Sequence, residues 1–428
     1  MNDKTKLINN PNESRRQFLA HTAMRAGSLG MLAASGIWTS RAVATNLSPL
    51  DGRLVVIMLR GAVDGLSVVA PYGDPNYYAS RSSIAIARPG ELDGVMRLDS
   101  LFGLHPALAV LMPYWERGEL GFVQASGSHD QTRSHFDAQD FMESGTPGRK
   151  STQDGWMNRL ATVVSGSQSD LALRLQAVNL GPVMPRIFVG AAPIASLAQG
   201  NAALARGVLD HEPVADAFAK LYAGEDRLSK TVREASATRR EIMSSLASDD
   251  PKADQGALSL RGLAVDTGRL GQLMQRDARV RLAFVPVGGW DTHVNQGAGK
   301  GQLANRLLLL GEAIDALIKG LGQRFQETTV VVMSEFGRTV RQNGNTGTDH
   351  GHGNVMWAFG SGVQGGKVHG SWPGLEAAAL HEGRDLAVTS DFRQVLSEIL
   401  KRDFRLTDKQ LNVVFPDFRL NKTSGLIA

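Results

Sequence analysis

Leu54-Val55-Val56-Ile57-Met58-Leu59, followed by Arg60-Gly61-Ala62-Val63-Asp64-Gly65, is a continuous apolar run rich in β-branched residues that ends in a glycine-bounded turn. A strand with one solvated face alternates apolar and polar residues, whereas an unbroken run reads as a strand buried on both faces, as in a parallel sheet covered by helices. Similar runs recur over 120–124, 171–179, 186–190, 280–287, 329–333 and 355–359. Between two of them, Leu303, Leu307, Leu310, Ile314, Leu317 and Leu321 repeat at steps of four and three, which predicts a helix over 302–321 with one face on the sheet. A second helix is predicted from a Ser390-Asp391 cap through Val395, Leu396 and Ile399 to Lys401. The alternation of strands and helices predicts an α/β fold with a mostly parallel central sheet and flanking helices. Over 191–279 the sequence turns polar, helical and alanine-rich, and is read as a helical insertion or cap.

Open α/β sheets gather their ligand-binding side chains beyond the carboxyl ends of the strands. Asp64 follows the first strand. Val280 to Val287 is followed by Gly288-Gly289-Trp290-Asp291-Thr292-His293, where a carboxylate and an imidazole two residues apart point the same way in extended chain and can meet one ion. Thr329 to Met333 delivers Glu335 and Arg338, a ligand candidate and a cation able to hold an oxyanion or pair with the glutamate. Thr348-Asp349-His350-Gly351-His352-Gly353 adds one carboxylate and two imidazoles among glycines that permit close backbone approach. Ser134, flanked by His135 and by Arg133, which like Arg338 is a candidate to stabilise a charged transition state, stands where a helix begins. There a hydroxyl is either a nucleophile in the field of free amides or, with Asp137 three residues on, an ordinary N-cap. His105, His369 and His381 lack an equally tight acid partner and are read as structural or surface residues.

The chain contains no cysteine, so any metal is held by imidazole, carboxylate or hydroxyl groups. Without thiolates, Zn²⁺ or Mn²⁺ fits a mixed imidazole and carboxylate set best, with Ca²⁺ or Mg²⁺ favoured where carboxylates dominate. Ser14-Arg15-Arg16-Gln17-Phe18-Leu19, a mildly apolar stretch to Trp38 and Ala42-Val43-Ala44 read as a twin-arginine export signal over 1–44, removed to leave a chain of about 384 residues that starts at Thr45. The stretch is interrupted by His21, Arg25, Ser28 and Ser35, which argues against a lasting membrane anchor. The predicted signal holds six basic residues and two acidic ones, so the net charge of +4 vanishes from the remainder, which keeps 40 of each sign. No basic run or aromatic-basic interleaving points to nucleic acid.

In chain order, Arg60 to Leu66, Thr132 to Asp137, Gly288 to His293, Ser334 to Thr339 and Asp349 to Gly353 resemble segments of the alkaline phosphatase and sulfatase superfamily, and within it an uncharacterised twin-arginine-exported family. The resemblance implies an alkaline phosphatase-like sandwich and a hydrolase of phosphate or sulfate esters with one or two divalent ions. It also implies that Asp64 is a ligand, Ser134 the nucleophile, Asp291 and His293 ligands of one metal, Glu335 a ligand of the other, and His350 or His352 the late histidine ligand. The Asp-Thr-His spacing is tighter than is usual in the superfamily. Glu335-Phe336 stands where an Asp-His pair is expected, unless Asp349-His350 is that pair. Together these readings predict an exported enzyme, periplasmic or secreted, that meets the twin-arginine machinery and acts on a small-molecule or surface-polymer ester. The alternative is a non-catalytic exported binding or assembly protein on the same fold.

Overall fold

The computed structural model of the chain describes residues 52–165, 176–181, 183–197, 220, 223–224, 229 and 260–427. The export signal read over 1–44 lies outside them.

Nine strands form the main sheet among the described residues: β1 (Arg53–Leu59), β2 (Leu120–Gly127), β3 (Gln176–Leu180), β4 (Ile194–Leu197), β5 (Val280–Val287), β6 (Thr328–Ser334), β7 (Asn354–Phe359), β8 (Val368–His369) and β9 (Ser390–Asp391). Their order is β8-β2-β7-β6-β1-β5-β3-β4, with β9 also pairing with β2. The first strand lies at the centre, parallel to β5 on one side (Val56 opposite Phe284) and to β6 on the other (Val56 opposite Val331), which explains its unbroken apolar sequence. Only β7 runs against its neighbours, antiparallel to both β6 and β2. The connection from β6 to β7 therefore leaves and returns at the same edge of the sheet, the edge where the parallel strands end.

Side chains alternate between two cores. Val55, Ile57 and Leu59 join Leu303, Leu307, Leu310, Ile314 and Leu317 of one long helix and Leu270, Leu273 and Met274 of another. Leu54, Val56 and Met58 join Trp156, Leu160, Val395, Ile399, Leu411 and Val414 on the opposite face. Among the described residues, the α-helices of seven or more residues are α1 (His135–Ser144), α2 (Trp156–Ser165), α3 (Leu260–Arg276), α4 (Gln302–Leu321), α5 (Phe392–Asp403) and α6 (Asp408–Val414). Each fully buried aliphatic side chain contributes about 1.5–3 kcal/mol, so the two clusters, one on each face, hold the sheet between helical layers. Among the described residues, no helix is long and apolar enough to cross a membrane.

Two local readings change. The run at 186–190 is not a strand: Arg186–Phe188 form a single 3₁₀ turn after Pro185, pinned by the Arg186 guanidinium on Asp140 and on the carbonyls of Thr152 and Gln153. Of the stretch read as a helical insertion over 191–279, two main parts are described, and both are integral to the layers. Ile194–Leu197 is an edge strand of the sheet, and Leu260–Arg276 packs on the sheet beside α4. Most of the rest lies outside the described residues.

Candidate metal centre

Four side chains meet beyond the carboxyl ends of β1, β5 and β6. His135 is the first residue of α1, whose N-cap is Ser134. Asp291 and His293 follow β5, in a loop anchored by buried Trp290, whose indole donates to the Val287 carbonyl across 2.9 Å. His350 comes from the β6–β7 connection. Backbone lies on backbone here: a Cβ at Gly337 would sit 1.8 Å from the Gly353 carbonyl oxygen, and one at Gly351 would meet the Arg338 carbonyl at 2.4–2.5 Å. These glycines let the strip from Asp349 to Gly353 press against Gly337 to Thr339, with Arg338 and His350 bridged in antiparallel fashion.

His135 Nε2 lies 3.0 Å from His350 Nε2, and His293 Nε2 lies 3.1 Å from the same atom. Asp291 Oδ1 is 2.9 Å from His293 Nε2, 3.4 Å from His350 Nε2 and 3.7 Å from His135 Nε2. His135, Asp291 and His350 each offer one ligand atom within 4.8 Å of the others. Ligand bonds of about 2.0–2.2 Å place donor atoms roughly 3–4 Å apart, so these spacings suit a single cation.

The far side of each ring decides the chemistry of the near side. His350 Nδ1 lies 2.9 Å from the Arg133 carbonyl oxygen, which can only accept, so that nitrogen carries the proton. His135 Nδ1 faces Glu335 Oε1 at 2.8 Å and His293 Nδ1 faces Asp349 Oδ1 at 3.0 Å, both carboxylate acceptors. With one proton per neutral ring, all three Nε2 lone pairs then point into one space beside a carboxylate. Lone pairs opposed at 3.0 Å repel unless a cation stands between them, and oxygen acceptors behind ligating imidazoles are the usual outer support of a metal site.

The supports are themselves supported. Burial raises the Glu335 pKa, but bonds from His135 and Gln139, with that of the Gly61 amide at 2.8 Å, hold it below the usual range. A bond from Asn343 holds the Asp349 carboxyl low, against a smaller opposing effect of burial and with help from His293. Asp291 is also held low, because the bond and charge of Arg338 outweigh the burial that raises it. Burial lowers the pKa of His350 and favours its neutral, ligating form, while the Arg133 carbonyl partly opposes this. Phe336 stacks on the His135 ring with centroids 4.9 Å apart and fixes its plane.

The residues singled out in the sequence fall into three groups. Asp291, His293 and His350 converge. Glu335 and Asp349 stand one hydrogen bond behind, each on the far nitrogen of a converging histidine. Asp64 and His352 are not brought in. Asp64, fully buried, is spent on Arg81 through both oxygens, with Ser67 and Gln296 at 2.7 Å. His352 stacks on His381 with centroids 4.2 Å apart, and burial first, then His381, pushes its pKa down to about 4.

The candidate cations and hydroxyl have protein partners. Arg338 is buried and donates to the carbonyls of Gly61, Ala62, Trp290 and Thr348 and to Asp291, so it ties the three loops together. Arg133 pairs with Glu382 and, at 2.8 Å, with Asp385. Ser134 caps α1, accepting from the Asp137 amide at 3.5 Å. The converging residue that sequence reasoning left as a mere neighbour is His135. Its signal was its place, immediately after a cap on a helix that starts at the ligand-binding edge.

The family described as "Protein of unknown function (DUF1501)" matches residues 51–415. No curated protein sequence matches the chain. Among solved structures, Ps i-CgsB in complex with k-i-k-neocarrahexaose is similar at 9% identity and a TM-score of 0.38, over 85% of this chain and 74% of that one. The C-terminal periplasmic domain of EcEptC from Escherichia coli, in complex with Zn, is similar at 12% identity and a TM-score of 0.34, over 72% and 73%. Alkaline phosphatase from the Antarctic bacterium TAB5 is similar at 11% identity and a TM-score of 0.31, over 72% and 92%.

Proposed function

The chain belongs to the DUF1501 family, and from the site it builds we propose that it is an exported, metal-dependent hydrolase of phosphate or sulfate esters, periplasmic or secreted by the twin-arginine route. The observation that carries the reading is the orientation of three imidazoles: each has its Nδ1 proton committed to an oxygen, and each aims Nε2 at a space shared with Asp291. His135, Asp291, His293 and His350 would hold the ion. Zn²⁺ or Mn²⁺ suits three nitrogens and one oxygen better than Ca²⁺ or Mg²⁺. Such an ion supplies a Lewis acid that lowers the pKa of water or of a hydroxyl and draws charge from an ester oxygen.

The protein's own contribution is placement. Glu335 and Asp349 keep two rings in the ligating tautomer, the Arg133 carbonyl keeps the third, and Arg338 holds Asp291 ionised and aimed. Ser134 stands beside His135 at the start of α1, and either its hydroxyl or a water would attack the ester phosphorus or sulfur, the bond to the alcohol oxygen breaking and the nucleophile's proton passing to the departing alcohol. A second reading, a binding or assembly protein without turnover, draws on one observation: Arg338 is held by protein acceptors through all three of its nitrogens, and the Arg133 charge is already paired with Glu382 and Asp385.

The test is a screen of the purified chain, loaded with Zn²⁺ or Mn²⁺, against phosphate monoesters, phosphate diesters and aryl sulfates. Turnover that requires both the metal and Asp291 is expected. A chain that binds metal and turns over none of them supports the binding reading, and one that binds no metal removes the hydrolase.

A further inference from the structure

Arg306, in the second turn of α4, has neither an acid nor a hydrogen-bond acceptor nor a ring as partner among the described residues, although it is half-buried. Among the described residues burial alone acts on it and lowers its pKa. Three more deeply buried arginines carry several acceptors each: Arg81 has Asp64 and two carbonyls, Arg159 has Asp154 and the Val414 and Ser144 carbonyls, and Arg338 has Asp291 and four carbonyls. A guanidinium presents five donors in a rigid fork that matches oxyanions, and a partly shielded one with no protein acceptor keeps that fork available to a ligand.

The place of Arg306 gives that fork a use. Its Cζ lies 3.8 Å and its Nη1 3.9 Å from where a Cβ would stand on Gly289, and a Cβ on Gly288 would have nothing within 4 Å. The glycine pair thus leaves open space beside the guanidinium. Gly289 is two residues before Asp291, a span of at most about 7 Å even in extended chain, so with the side chains added the guanidinium lies within roughly 15 Å of the Asp291 carboxylate. The two arginines the sequence offered for anion binding are already paired with carboxylates, whereas Arg306 has no such partner among the described residues.

We propose that Arg306 binds a second acidic group of the substrate, a carboxylate, sulfate or phosphate within roughly 15 Å of the ester held at the His135–Asp291–His293–His350 centre. The inference rests on the metal-hydrolase reading and narrows its substrate class to esters of polyanionic or bifunctional acidic molecules.

The experiment compares two probes by calorimetry on the Zn²⁺-loaded chain: hexylphosphonate, with one acidic group, and 6-phosphonohexanoate, which adds a carboxylate at the far end. The wild type is expected to bind the second about tenfold more tightly, the size of one charge-assisted contact. Arg306→Gln is expected to erase that preference with Zn²⁺ still bound, and Arg306→Lys to keep part of it. The lysine variant supplies the same readout if the glutamine variant precipitates. If hexylphosphonate binds in a Zn²⁺-dependent way but the carboxylate adds nothing, or if the preference survives Arg306→Gln, the role of Arg306 is overturned and the metal centre stands. If neither probe shows Zn²⁺-dependent binding, both fall together.

Discussion

The Nδ1–H of His350 donates to the carbonyl oxygen of Arg133 across 2.9 Å, so a main-chain atom of the β2–α1 loop sets the tautomer of a histidine from the β6–β7 loop. The same strip is gripped again where Arg384 donates to the His350 carbonyl at 2.9 Å, and both arginines converge on buried Asp385. If these contacts exist to aim Nε2, the chain binds one Zn²⁺ or Mn²⁺ at this centre. His350→Ala and Asp291→Ala should then weaken affinity by more than about a hundredfold, beyond the roughly 10–100-fold typical of outer-support substitutions. Elemental analysis and competition with a chromophoric chelator measure both.

Glu335 accepts from His135 without belonging to the group of mutually close ligand atoms. Glu335→Gln keeps the shape but weakens the acceptor, and affinity should fall about 10–100-fold with the stoichiometry unchanged. Loss of the ion altogether would instead make Glu335 a ligand.

Asp64 and Arg81 are both fully buried and bonded to each other, with Asp64 also held by Gln296. Asp64→Asn leaves an uncompensated buried guanidinium, and unfolding free energy should drop by about 3–5 kcal/mol. Metal content per folded chain should not change. A selective loss of metal at intact stability would return Asp64 to the ligand set.

Ser134→Ala removes the cap of α1 and should cost about 1 kcal/mol in denaturant unfolding. Retained turnover at that cost assigns the attack to water. A fall by orders of magnitude assigns it to the Ser134 hydroxyl.

His105 is buried, with Nδ1 accepting from the Ala107 amide at 3.0 Å and Nε2–H donating to the Ala298 carbonyl at 3.1 Å, an arrangement that suits only the neutral ring. Burial, partly opposed by the Ala298 carbonyl, pushes its pKa down to about 4, against 6.5 in the unfolded chain. Between those values the unfolded chain binds the proton and the folded one does not. Stability from this group is therefore complete above about pH 6.5 and lost as pH falls towards about 4, on the order of 3 kcal/mol. Urea midpoints across that range should fall more steeply in the wild type than in His105→Gln.

Much of the fold was legible because burial on two faces leaves a mark in one dimension. Half-exposed strands alternate apolar and polar residues, whereas Leu54 to Leu59, Val280 to Val287 and Thr329 to Met333 are almost unbroken in apolar residues, and all three proved central and parallel. The 302–321 helix lies within its predicted bounds. The turn at Arg186–Phe188 misled because its apolar residues fill a core cluster from irregular backbone, which periodicity over five residues does not distinguish from a strand. Of the side chains that converge, Asp291 and His293 were legible as an acid and imidazole pair after a strand, and His350 as part of an acid and imidazole cluster among glycines in a loop. His135 was not, because one histidine after a helix cap has no partner within its own segment.

By itself the sequence determined where chain buried on both faces begins and ends, and therefore which residues stand at strand ends, because side-chain hydrophobicity and spacing are local properties. The tertiary structure alone decided which of those residues share a space. Asp64 and Asp291 follow neighbouring parallel strands, yet one is neutralised by Arg81 and the other faces three imidazoles. The direction of β7, antiparallel to both neighbours, returns the 335–353 connection to the ligand-binding edge and brings His350 to His135 from 215 residues away. Convergence of this kind depends on distances set by the packing of the whole sheet, which no local spacing along the chain encodes.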